Sequence, residues 1–121
     1  MPARTSVLIV DDHAGFRSFA RRLLEASGFV VAGEAEDGDG ALLVTRELQP
    51  DVVLLDIQLP GTDGFEVARQ LARGGPACSI VFVSSRAAAD YGDRLASSEA
   101  AGFIAKEELS GGSLRSVLGL R

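Results

Sequence analysis

Cysteine, histidine and long apolar runs are the scarcities of this chain. Cys78 stands alone among 121 residues. A single thiol forms no internal disulfide, and Cys78 reads as a small buried side chain rather than a reactive one. His13 is the one histidine; with no Cys-His spacing, zinc lacks a ligand set. No signal-peptide core follows Met1 and no stretch is long enough to cross a bilayer, so the expected compartment is the cytoplasm, with no membrane partner. Basic residues are outnumbered 12 to 17, for a net charge of -5. That balance argues against a phosphate-backbone surface, so any nucleic acid is expected to be contacted by something other than these residues. A Gly-Lys-Ser or Gly-Lys-Thr phosphate loop is missing too. Gly38-Asp39-Gly40 has Leu43 where a dinucleotide fingerprint needs glycine, and reads as a turn.

What is present points to one domain over residues 1–121, since 46% of the residues are hydrophobic and 24% charged. Four brief apolar runs, at 7–10, 52–55, 80–83 and 103–105, suit strands buried on both faces. Residues 29–35 are less uniformly apolar and read as an edge strand. Helical spacing fills the gaps. Phe16, Ala20, Leu23 and Leu24 share a face, with Gly28 as a stop. Residues 40–48 repeat the pattern up to Gln49-Pro50. Phe65, Val67, Ala68 and Leu71 form a third helix behind an Asp63–Glu66 capping pair, and Ala-rich residues 86–101 form a fourth. Leu114, Val117 and Leu118 form a fifth, with Ser113 as the expected cap.

Five alternations of strand and helix imply an open parallel α/β sheet covered on both faces, with its ligand site beyond the carboxyl ends of the strands. The residues there are Asp11 and Asp12, then Asp56, then Ser84 and Ser85, then Lys106. Each has a plainer use alone: Asp12 or Ser84 as a helix cap, Asp56 as a turn residue, Lys106 as a solvated charge. Capping explains neither two adjacent acids nor a third acid on a neighbouring strand, where like charges repel. Crowded carboxylates with few other ligands suit a hard cation, Mg2+ before Ca2+. His13, beginning a helix, reads as a surface or capping neighbour.

These residues resemble the receiver domain of bacterial response regulators, over the whole chain. The resemblance rests on Val10-Asp11-Asp12-His13, on Asp56 followed by Pro60 and Gly64, on Val83-Ser84-Ser85, and on Gly102-Phe103-Ile104-Ala105-Lys106. It implies a flavodoxin-like (βα)5 fold with strand order 2-1-3-4-5. It also implies Asp56 as phosphoacceptor and Asp12 and Asp56 as Mg2+ ligands, with Asp11 acting through water and the backbone carbonyl of Gln58 completing the shell. Lys106, the switch hydroxyl Ser84 and the aromatic switch Phe103 follow from the same resemblance. The implied partners are a sensor histidine kinase or phosphotransfer protein, an output domain or effector, and a possible homodimer. Glu107, where many members have proline, resembles receivers attached to helix-turn-helix outputs.

The implied role is a signalling phosphoacceptor that assists its own phosphorylation and dephosphorylation, not a turnover enzyme. An aspartate-nucleophile phosphatase needs a second acid two residues after the nucleophile, and Gln58 stands there. A receiver working without phosphate is expected to have lost one of the acids or Lys106, and none is lost.

Overall fold

The computed structural model describes residues 4–74 and 78–120. Strands β1 (Ser6–Val10), β2 (Val30–Ala35), β3 (Val52–Asp56), β4 (Ser79–Ser84) and β5 (Gly102–Ala105) alternate with helices α1 (Ala14–Ala26), α2 (Gly38–Leu48), α3 (Gly64–Arg73), α4 (Asp93–Ala96) and α5 (Gly111–Leu118). Every strand pair is parallel, and the order β2-β1-β3-β4-β5 is the flavodoxin-like arrangement. Chain order reverses on either side of β1, so the ends of β1 and β3 flank the switch point.

The inner strands β1, β3 and β4 are largely apolar because each serves two cores. Val7 and Ile9 of β1, with Val52 and Leu54 of β3, face Ala20 and Leu24 of α1 and Leu114 of α5. Leu8 and Val10, with Val53 and Leu55, face Ala41 of α2 and Phe65, Val67, Ala68 and Leu71 of α3. Successive side chains point to opposite faces, which makes a run buried on both sides a continuous apolar word. β2 lies at an edge, with Val30 exposed and its register to β1 shifted between Val7 and Leu8.

Helix ends follow local chemistry, with three departures from the expected boundaries. The first is that α2 begins at Gly38, within the glycines that read as a turn, because Asp37 Oδ1 caps it by accepting from the Gly40 N–H at 2.7 Å. Asp63 Oδ1 accepts from the Glu66 N–H at 2.9 Å, so the front half of the capping pair forms; no return bond from the Glu66 side chain accompanies it. The cap of α5 is Ser110 rather than Ser113. Gly111 and Gly112 are already helical, and the two serines exchange backbone N–H to side-chain Oγ bonds at 2.9 Å, satisfying two free N–H groups. The fourth helix does not run over 86–101. A 3-10 turn at Ala88–Asp90 and the single turn of α4 replace it, parted by Gly92 at φ +54°, which glycine adopts without steric cost. Ser97 and Ser98 then bond back to the carbonyls of Asp93 and Leu95, competing with further helix. Cys78 is half-buried before β4 rather than fully enclosed, and that burial pushes its thiol above the ordinary range.

Candidate phosphoacceptor and cation site

Parallel crossovers deliver the chemistry to one edge of the sheet. Asp11 and Asp12 follow β1, Asp56 ends β3, Ser84 ends β4 and Lys106 follows β5. Carboxylate oxygens of Asp11, Asp12 and Asp56 and a ring nitrogen of His13 lie within 4.8 Å of one another. Asp11 is fully buried and Asp56 nearly so, at 2% exposure, so two of the three acids have almost no water to solvate their charge.

Lys106 offsets part of that cost. Its Nζ lies 2.6 Å from Asp11 Oδ2 and 3.4 Å from Asp56 Oδ2, and 4.6 Å above the centre of the Phe16 ring. Burial pulls the ammonium down, but Asp11 and Asp56 outweigh it and hold Lys106 above its ordinary pKa. Asp56 is pushed up to about 6, first by burial and further by the charge of Asp11, against the N–H of Gln58 and the ammonium of Lys106. Its Oδ1 accepts from that N–H at 3.0 Å, which fixes the carboxylate at the rim of the turn.

The donor set fits a hard divalent cation. Three carboxylates face one ammonium, and Asp11 Oδ2, although touching Lys106, makes no hydrogen bond of ordinary geometry. Buried carboxylate charge in excess of its counter-charge is the condition that a bound cation relieves. His13, the residue after Asp12, is an exposed neighbour of this cluster. Its exposed ring places Nδ1 3.1 Å from Asp11 Oδ1 and 3.2 Å from Asp12 Oδ1, and it occupies the N-cap position of α1 without a side-chain cap bond.

Gly64 owes its identity to the same loop. A Cβ there would lie 2.6 Å from the Asp56 carbonyl oxygen and 2.7 Å from Ile57 Cα, so α3 can start this close to the acid only without a side chain. Ser84, in register with Ala105, is fully buried at the carboxyl end of β4, the strand next to β3. Its Oγ accepts from the Arg86 N–H at 3.0 Å and lies 2.6 Å from Tyr91 Oη. Tyr91 escaped the sequence reading; its one signal is being the single tyrosine, seven residues past Ser84. Phe103 lies apart from the acids, half-buried on β5 with its ring centre 6.2 Å from that of Tyr91.

The family described as response regulator receiver domain matches residues 7–116. This chain belongs to that family. Response regulator GacA of Pseudomonas protegens is 41% identical over 101 residues, covering 83% of this chain and 47% of that protein. The transcription regulator BvgA of Bordetella pertussis is 38% identical over 102 residues, covering 84% and 49%. The receiver thus spans about half the length of the curated relatives it matches. Among solved structures, the signal receiver domain of the response regulator NarL from Mycobacterium tuberculosis superposes with a TM-score of 0.84 at 33% identity, covering 98% of this chain and 99% of that one. A LuxR-family response regulator from Aurantimonas reaches 0.85 at 28%, covering 98% and 89%. The receiver is a signalling domain of the two-component type. No helix among its described residues is long and apolar enough to cross a membrane.

Proposed function

We propose that Asp56 accepts a phosphoryl group from a phosphohistidine on a sensor kinase or phosphotransfer protein, in the cytoplasm, and that the charge so added drives an output. One observation carries this reading: a nearly buried carboxylate faces two further acids and a lysine at the switch point of the sheet. Asp12, Asp56 and the carbonyl of Gln58, with Asp11 through water, would hold Mg2+, which supplies charge neutralisation to the phosphoryl oxygens.

Phosphoryl transfer depends mainly on positioning and on countering charge spread over the transferring group. The Gln58 N–H holds Asp56 Oδ1 and the Lys106 ammonium approaches Oδ2, which together orient the carboxylate for in-line attack. Lys106, within reach of that oxygen, neutralises a phosphoryl oxygen. The same groups serve the reverse loss of phosphate to water. The phosphoryl group carries about -1.5 to -2 of charge, by analogy with other phosphorylated side chains, in place of the single charge of the carboxylate it consumes. Ser84 and Lys106 answer it, and the face of α4, β5 and α5 around Phe103 carries the change to an output domain, an effector or a second copy.

Intact mass after incubation with a small acyl phosphate and Mg2+ tests the reading. One phosphoryl adduct is expected in the wild type, and none in Asp56→Asn or with a chelator present. An adduct that survives in Asp56→Asn would move the acceptor elsewhere.

A further inference from the structure

Two groups reach the buried Oγ of Ser84: the Arg86 N–H donates to it, and Tyr91 Oη lies 2.6 Å away. A hydroxyl has one proton and two lone pairs. The backbone N–H fills a lone pair and accepts nothing, so among the described residues Tyr91 Oη is the one acceptor for the serine proton. In the phosphoryl-free domain, Ser84 therefore donates to Tyr91, and the tyrosine turns its own O–H away. The ring is held for this by Phe65, edge-on at 5.8 Å between centres, and by Phe103.

We propose that Tyr91 is the positioning residue of the switch serine: it takes the Ser84 proton while Asp56 is bare, and donates to Ser84 once a phosphoryl group on Asp56 takes that proton instead. The proposal rests on the reading of Asp56 as phosphoacceptor. One hydrogen bond reverses direction without breaking, and Ser84 stays satisfied in both states. An asymmetry follows. Without the phenol oxygen, the bare domain holds a buried donor with no acceptor, the costly case. The phosphorylated domain loses only a second bond to an oxygen that still accepts from Arg86 and donates to the phosphoryl. Removing the oxygen therefore favours the phosphoryl-bound state. Phe103, having no hydroxyl, cannot substitute.

Calorimetric titration with beryllium trifluoride and Mg2+, a phosphoryl mimic, tests the idea. Wild type is expected to bind and Asp56→Asn to fail. Tyr91→Phe should bind about tenfold more tightly, the factor that about 1.4 kcal/mol produces. In a Ser84→Ala background the same change should leave affinity as it was. Equal or weaker binding by Tyr91→Phe overturns the proposal while leaving the phosphoacceptor reading intact. No binding by wild type overturns that reading, and the proposal with it. Should Tyr91→Phe not fold, the wild type still decides. With one tyrosine and no tryptophan, its emission reports this phenol alone. That emission should change on adding the mimic, and a constant emission alongside calorimetric binding would refute the exchange.

Discussion

Asp56 sets the residue-scale economy of the site. Its carboxyl sits at about 6 in the folded domain against 3.8 for a free side chain, with burial as the first cause. A raised carboxylate destabilises when ionised: no penalty applies below about pH 4, where folded and unfolded chains are both protonated, and the full penalty applies above about pH 6. The gap corresponds to on the order of 3 kcal/mol. Asp56→Asn keeps the shape and the acceptor for the Gln58 N–H while removing the charge. In the presence of a chelator, urea unfolding should therefore show the variant more stable than wild type at pH 8, by about 1 to 3 kcal/mol, with the gain gone at pH 4. A gain that is flat with pH would show that ionisation is not its source. The acids that suit the site to a cation are thus a cost to the bare fold, and Lys106 covers part of it.

At the scale of elements, β2 and α1 are tied by charge and the β3–α3 loop by shape. Glu34 on β2 receives Arg21 Nε at 2.7 Å and Arg17 Nε at 3.1 Å, and the bond from Arg21, outweighing burial, holds its carboxyl below the ordinary range. A lowered carboxylate contributes stability above its unfolded pKa and loses it as pH falls through the folded one. Glu34→Gln should cost about 0.5 to 1 kcal/mol at pH 7, a figure discounted for partial exposure, and less at pH 3. Equal losses at both would assign the effect to packing. Gly64→Ala should be harsher, because the new methyl meets the Asp56 carbonyl and Ile57 Cα, both backbone. A destabilisation of about 2 kcal/mol with slowed phosphorylation is expected, and unfolding curves and acyl-phosphate kinetics overlapping those of wild type would show that the loop yields freely. These elements also mark what the sequence makes legible. Strands buried on both faces announce themselves as solid apolar runs, and parallel crossovers then align their polar successors, so Asp11, Asp12, Asp56 and Lys106 fall together without any contact being known. Asp63 is legible because capping is local. Tyr91 is not, since its reach to Ser84 depends on the 3-10 turn at Ala88–Asp90 between them, and an Ala-rich segment carries no periodic face to betray where its helix stops. Ser110 is not legible as the cap because Gly111 and Gly112, poor helix formers, fold as the first turn of α5.

Across the whole molecule, firmness is uneven in a way that suits a switch. β1, β3 and β4 are enclosed on both faces, with Leu8, Leu54, Phe82 and Val83 at zero exposure, and they hold the acids at fixed spacing. The segment between β4 and β5 is the opposite: neither the 3-10 turn at Ala88–Asp90 nor α4 has a buried residue, and α4 is one turn long. Its ties are Tyr91 on Ser84, Arg94 on Asp63 at 2.6 Å and above the Phe65 ring at 4.3 Å, and the half-buried Tyr91, Leu95 and Ala100 against the core. Local opening needs little energy where few apolar contacts are lost, and bistable elements are drawn from such regions. Amide hydrogen exchange should therefore find residues 86–101 exchanging well before β1 and β3 in the bare domain. On adding beryllium trifluoride with Mg2+, protection should change over residues 84–105 while the amides of β1 and β3 stay as they were. A response spread evenly over the sheet would mean that the added charge stiffens the molecule as a whole, and the α4–β5–α5 face would lose its standing as the output surface.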